Sequence, residues 1–244
     1  MGGGERTMAT YVLVSGAWHA AWCWERIVPL LRGAGHAVVA PDLIGMTADG
    51  VAVETVTLAG WADQVARVVA AQAEPVILVG HSRGGIVISE AAERVPDRVA
   101  MLVYLAAFLV PDGATLAGVS ARGVRDIPDD AIILSADGLT STVRPDQIGP
   151  VFYTTTDDEW AARAAAQLRP EPMAAMATPL VLGERFAGVR RGYIECLRDR
   201  AVPIALQRAM QADLPCETVV TLDTDHSPFF SAPVDLAAAL LAFV

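Results

Sequence analysis

One serine stands where a nucleophile could be presented. Gly80-His81-Ser82-Arg83-Gly84-Gly85 follows the apolar run Val76-Ile77-Leu78-Val79 and precedes a helical pattern over 86–94. A serine hydroxyl attacks poorly near neutral pH, so it needs a general base and an acid that orients the base. The chain has four histidines, His19, His36, His81 and His226. His81 adjoins the serine inside the turn and is expected to point away from it. His36 enters a strand from a turn, a structural position, and His19 lies in a tryptophan-rich loop. His226 follows the last predicted strand in Leu222-Asp223-Thr224-Asp225-His226, and is the candidate base. For the acid, Asp199 follows the strand that ends near Cys196, and Asp112, after the strand near Leu105, is the alternative. Asp225 is adjacent to His226 and would point elsewhere. A tetrahedral oxyanion also needs two preorganised main-chain N–H groups. Arg83, directly after the serine, can supply one. Ala17 can supply the other, from the loop after the first strand, where Gly16 lets the chain turn tightly.

These groups must be carried by a framework. Strands are predicted over 10–15, 37–40, 76–79, 99–106, 192–196 and 218–222, and helices over 22–32, 58–73, 84–95, 203–212 and 233–243. Short β-rich runs alternating with helices predict a parallel sheet covered on both faces. A strand, Gly-x-Ser-x-Gly and a helix form the context of the nucleophile elbow of α/β-hydrolases, whose chain order is serine, acid, histidine. The expected fold class is therefore α/β, an α/β-hydrolase with a mostly parallel sheet of about six strands and helices on both faces. Residues 10–107 and 192–244 would form the core, and 1–9 a disordered lead-in. Between 108 and 191 the rhythm changes: Pro, Gly and Asp recur, one amphipathic helix spans 157–168, and no sheet pattern is visible. So long a stretch exceeds plain loops in a compact domain, and it is read as a mainly helical cap enclosing a ligand pocket.

Composition excludes several other functions. The chain has 244 residues, 53% of them hydrophobic, and a net charge of -10, which argues against nucleic acid or an anionic membrane as partner. All 18 basic residues are arginine, so a lysine Schiff base or a phosphate-loop lysine is impossible. No His or Cys pair sits at metal-ligand spacing and no nucleotide-binding glycine motif occurs, so neither metal nor cofactor is implied. Cys23, Cys196 and Cys216 are widely spaced and read as free thiols in a reducing compartment. With no signal peptide or membrane span in the sequence, cytoplasmic residence is expected. Trp18, Trp22 and Trp24 read as loop or core packing, with pocket lining the lesser alternative for Trp18; Phe108, Phe152, Tyr153, Trp160 and Phe186 are candidate pocket aromatics, most of them expected to be packing.

Four segments together carry a resemblance: 11–19 (YVLVSGAWH) with Trp22 and Trp24; 79–85 (VGHSRGG); 193–199 (YIECLRD) followed by Pro203; and 225–231 (DHSPFFS). The chain resembles the branch of α/β-hydrolases that holds plant methylesterases, plant hydroxynitrile lyases and similar bacterial carboxylesterases, over residues 10–244. The resemblance implies a triad of Ser82, Asp199 and His226 and an oxyanion hole at Ala17 and Arg83. Two positions depart from the family pattern. Ser15 replaces a usual histidine, and Arg83 replaces a usual Leu or Met. The Arg83 guanidinium could face the pocket and pair with an acidic or enolic substrate, or could form a salt bridge at the base of the cap. The family's lyases resemble one another in a threonine at the Gly16 position and a lysine after the catalytic histidine. Here Gly16 and Ser227 stand there, which favours ester hydrolysis. The expectation is a carboxylesterase-like serine hydrolase acting on a small-molecule ester or related carbonyl compound, with a homodimer as an open option. A lyase, cyclase or other specialised-metabolite enzyme on the same site, and a non-catalytic ligand-binding receptor, are the rivals.

Overall fold

The computed structural model describes residues 8–124 and 126–244, so the expected lead-in falls, up to residue 7, outside the described residues. Six strands form one sheet: β1 (Thr10–Val14), β2 (Ala37–Val39), β3 (Val76–His81), β4 (Val99–Leu105), β8 (Arg191–Cys196) and β9 (Thr218–Leu222). Their order is β2-β1-β3-β4-β8-β9, and every pair is parallel. β3 lies in the interior of the sheet, where a side chain on either face is covered; its six residues are all buried.

Side chains alternate between two apolar layers. Val12, Val14, Leu78, Leu102 and Tyr104 pack with Trp61 and Val65 on one face. Tyr11, Leu13, Val79, Val103 and Leu105 pack with Trp24, Ile27 and Leu240 on the other. The first face is covered by α2 (Leu58–Ala70) and α3 (Gly84–Arg94), the second by α1 (Ile27–Gly33) and α11 (Pro233–Leu241). α2 begins where the Thr57 hydroxyl accepts the Gly60 N–H at 3.0 Å, a side-chain N-cap. The helix expected over 22–32 is divided: residues Ala21–Trp24 form a 3-10 turn and α1 starts at Ile27. Pro29 explains the break, because proline is tolerated in a first turn, where its missing N–H would have no partner, but not in a helix interior.

The chain between β4 and β8 carries α4 (Leu116–Ser120), α5 (Pro145–Phe152), α6 (Asp158–Ala165), α7 (Ala174–Ala177) and α8 (Glu184–Ala187). It also carries a small antiparallel sheet, β5 (Ile132–Leu134), β6 (Thr140–Val143) and β7 (Glu171–Pro172). No sheet is expected here from the sequence, and the structure corrects that expectation. These strands are 3, 4 and 2 residues long, too short to establish an alternating pattern. After β8 come α9 (Ile204–Asp213), then β9, then α10 (Pro228–Ser231) ahead of α11. Among the described residues no helix is long and apolar enough to cross a membrane.

Candidate active site

β3 ends at His81 and α3 starts at Gly84, so Ser82 sits on the turn between them with φ 52°. That left-handed conformation is costly for a residue with a Cβ and is held by its surroundings. Ser82 N–H donates to Leu105 O at 3.2 Å, and Ser82 O accepts from Gly85 N and Phe108 N at 3.0 Å each. The turn closes because its glycines let main chains touch: a Cβ on Gly80 would lie 2.7 Å from Gly84 O. A Cβ on Gly85 would be driven into the Phe108 carbonyl.

β8 and β9 bring the other two groups together. Asp199 follows β8 and His226 follows β9, and His226 Nδ1 lies 2.7 Å from Asp199 Oδ2. The carboxylate also accepts Val202 N–H at 2.8 Å and Gln207 Nε2–H at 3.3 Å. Burial pushes the Asp199 carboxyl above its ordinary value, and the opposing attraction of His226 favours its charged form. With Nδ1–H donated to Asp199, Nε2 of His226 keeps its lone pair. Ser82 and His226 line the same cavity, of about 270 Å³.

Asp112, the alternative acid, is occupied elsewhere: its Oδ1 accepts the Leu182 N–H at 2.8 Å. Asp225 points away from the imidazole of its neighbour, as expected, and braces the loop. Its oxygens accept from Thr155 N, Thr156 Oγ1, Ser227 N and Ser231 Oγ at 2.9–3.0 Å. His36 is structural, its Nδ1 accepting Ala9 N–H at 3.2 Å. His81 points away from the cavity and its Nε2 lies 2.8 Å from His226 O.

The loop after β1 lies beside the serine. A Cβ on Gly16 would sit 2.8 Å from both Ser82 Cβ and His81 Nδ1, so a larger residue at 16 cannot enter without displacing the elbow. Ala17 lines the cavity, and Trp18 follows with φ 61°. His19 Nδ1–H donates to Ala17 O at 2.8 Å, and its Nε2 therefore accepts the Tyr153 O–H at 2.8 Å. Among the described residues neither Ala17 N–H nor Arg83 N–H has a protein acceptor. Of the two orientations open to Arg83, the structure adopts the ion pair. Nε donates to Glu171 Oε1 at 2.8 Å and Nη2 to Gly16 O at 2.9 Å, while the guanidinium lies 4.3 Å over the Trp61 ring.

Glu171, Gln207 and the bracing role of Asp225 are absent from the sequence reading. Glu171 is 88 positions from Arg83, and no local pattern marks so distant a pairing. The rest of the cavity is mainly apolar, with Leu116, Val143, Val151, Met173 and Met176 among its walls. Phe108 and Phe152 line it, whereas Tyr153, Trp160 and Phe186 are packed outside it. Trp18 also lines the cavity, the lesser of its two expected roles.

Known proteins resemble the chain along nearly its whole length. The model of the Alpha/beta hydrolase family matches residues 11–239. A pyrethroid hydrolase of Sphingobium wenxiniae is 35% identical, the match covering 97% of this chain and 88% of the relative. Methylesterase 7 of Arabidopsis thaliana is 31% identical, covering 95% and 94%. The crystal structure of a pyrethroid hydrolase from Sphingobium faniae superposes with a TM-score of 0.89 at 33% identity, over 97% of each chain. The chain belongs to the alpha/beta hydrolase family.

Proposed function

We propose that the chain is a carboxylesterase-like serine hydrolase that cleaves small carboxylic esters through an acyl-enzyme. One observation carries this reading. Ser82, on a strained turn, shares an apolar cavity with His226, whose Nδ1 is 2.7 Å from the buried Asp199 carboxylate. His226 Nε2 takes the Ser82 proton as Oγ attacks the ester carbonyl, and Asp199 orients the imidazole and stabilises the imidazolium. The Ala17 and Arg83 amides receive the oxyanion. The imidazolium then protonates the departing alcohol, and a water activated by His226 releases the acid and restores Ser82.

Residues 108–191 act as a cap over the sheet and supply most of the apolar wall, which suits an ester with a hydrocarbon acyl or alcohol part. The relatives, a pyrethroid hydrolase and a methylesterase, support ester cleavage. Gly16 argues against a lyase of the resembling branch, because the threonine expected there would collide with Ser82 and His81. Free Cys23, Cys196 and Cys216 suit a reducing compartment, in keeping with a cytoplasmic enzyme.

The test is labelling with a fluorophosphonate followed by turnover of nitrophenyl esters of increasing acyl length. Labelling at Ser82 and turnover, both lost in Ser82→Ala, are expected. Turnover that survives Ser82→Ala would sink the reading. Ligand binding with neither labelling nor turnover would point to a receptor.

A further inference from the structure

We propose that Arg83 and Glu171 are positioning residues of the oxyanion hole: their buried ion pair holds the Ala17 amide in its donating direction and makes the hole depend on the seating of β7. The proposal rests on the reading of Ser82 as the nucleophile of ester hydrolysis.

Gly16 C=O and Ala17 N–H belong to one planar trans unit, so they point in opposite directions, and fixing one fixes the other. Arg83 Nη2 holds Gly16 O at 2.9 Å. The next unit is held at both ends as well. Ala17 O accepts from His19 Nδ1 at 2.8 Å, and Trp18 N–H donates to Glu171 Oε2 at 3.0 Å. Both peptide units that meet at Ala17 are therefore clamped, and Trp18 is kept at its unfavourable positive φ.

Arg83 and Glu171 form a single device. Glu171 Oε1 accepts Arg83 Nε–H at 2.8 Å while its other oxygen holds Trp18, and the two side chains are 1% and 0% exposed. So buried a pair is costly to desolvate and weak as a source of stability, which leaves positioning as its physical use. Trp61, 4.3 Å from the guanidinium carbon, fixes the plane of the fork. A cationic donor on Gly16 O also polarises that peptide, making Ala17 N–H a stronger donor toward developing negative charge. Arg83 thus contributes its own main-chain N–H to one side of the hole and orients the other side through its side chain.

Glu171 does not belong to the six-stranded sheet. It stands on β7, opposite Ser141 of β6. Trp18 is held at two further points, by β6 and by the segment that leads into β7: Trp18 Nε1–H donates to Ser141 O at 3.1 Å, and Arg169 N–H donates to Trp18 O at 3.0 Å. If the small sheet lifts, the loop that bears Ala17 loses its Glu171 and Ser141 anchors and Arg83 loses its ion-pair partner, so the hole is complete only when that sheet is seated.

Arg83→Met, Glu171→Gln and the double variant test this, with nitrophenyl butyrate as substrate. Two inhibitors are compared: a butyl trifluoromethyl ketone, which forms a tetrahedral oxyanion on the serine, and its unfluorinated parent ketone, which binds without forming one. None of the variants removes the Arg83 main-chain N–H, so the losses report the other donor. Arg83→Met is expected to lower kcat roughly 10- to 100-fold with KM little changed, short of the ~10²- to 10³-fold typical of deleting a donor. Trifluoromethyl ketone affinity should fall in parallel, and parent ketone affinity should hold. Glu171→Gln, which can still accept from Trp18, should lose less, and the double variant should lose no more than Arg83→Met, because the pair acts as a unit. The double variant leaves no buried charge unpaired and is the form to use if a single variant fails to fold.

Undiminished kcat and trifluoromethyl ketone affinity in a folded variant would overturn the proposal. Equal loss of affinity for both ketones would overturn it too, since that marks a collapsed pocket. A wild-type protein that neither turns over esters nor labels at Ser82 would instead defeat the underlying reading, before any variant is compared.

Discussion

His81 Nε2 lies 2.8 Å from the main-chain oxygen of His226, and the two rings stand 4.5 Å apart at an interplanar angle of 49°. The residue before the nucleophile thus supports the loop that carries the candidate base. Burial drives the His81 imidazole well below its ordinary pKa, so it is neutral and its Nε2–H is the donor of that bond. His81→Leu should leave His226 O buried without a partner and cost about 1–3 kcal/mol. It should also lower kcat more than it raises KM, since the imidazole loses its support. Urea unfolding together with steady-state kinetics checks this; an unchanged unfolding midpoint would count against the bond.

Asp199→Asn tests the acid. The amide oxygen can keep the Val202 contact, but an NH2 at the Oδ2 position accepts neither from Gln207 nor from His226 Nδ1–H, so it cannot favour the His226 tautomer with its proton on Nδ1. kcat should fall on the order of 10³- to 10⁴-fold with little change in KM, as for a triad that loses its orienting carboxylate. Asp112→Asn should leave kcat near the wild-type value, because that carboxylate is engaged with the Leu182 amide. The reverse result would move the acid to Asp112.

Gly85→Ala tests the close approach that shapes the elbow. The new methyl would be driven into the Phe108 carbonyl, a main-chain atom with no freedom to swing aside. Overpacking of this kind typically costs about 1–3 kcal/mol or more. A lowered melting temperature and loss of fluorophosphonate labelling are expected. Gly113→Ala is the contrasting variant: nothing stands within 4 Å of its Cβ, but its φ of +71° adds local strain, so it should lower stability while preserving labelling.

Stability should fall as the solution is acidified below neutrality. His19 is fully buried, and burial holds its pKa down at about 4 against an ordinary 6.5, with His226 and Arg83 adding like charge. Between those values the unfolded chain binds the proton and the folded chain does not. The stability contributed by neutral His19 is therefore complete above about pH 6.5 and is lost toward pH 4, at up to about 1.4 kcal/mol per pH unit. His81 acts in the same direction. Asp199 and Glu171, whose carboxyls burial raises, act oppositely at the acid end. Urea midpoints at pH 7 and pH 5 should differ, and His19→Gln should flatten the difference. A wild-type midpoint equal at both values would contradict this account.

Much of the framework is legible locally because its signals are local. The buried run of β3 (Val76–His81) with its flanking glycines announces a strand, a tight turn and a helix, and β9 begins and ends at the predicted residues. Parallel strands buried on both faces are read from apolar content alone. Ser82, Asp199 and His226 stand out as candidates from chain order, since each follows a strand of that sheet. β5, β6 and β7 were not legible, because strands of a few residues have no period to detect.

By itself, the amino-acid sequence determined the sheet, the elbow and the candidates for base and acid, because hydrophobic periodicity and glycine geometry act over a few residues. Only the tertiary structure places one of the two candidate acids, Asp199 and Asp112, against the imidazole: both follow strands, and only the Asp199 carboxylate reaches His226 Nδ1. Tertiary structure alone decided the direction of Arg83. A guanidinium beside a nucleophile can serve a substrate or a partner side chain, and the choice depends on what arrives through space. Here that is Glu171, from a strand 88 positions away, together with the Gly16 carbonyl.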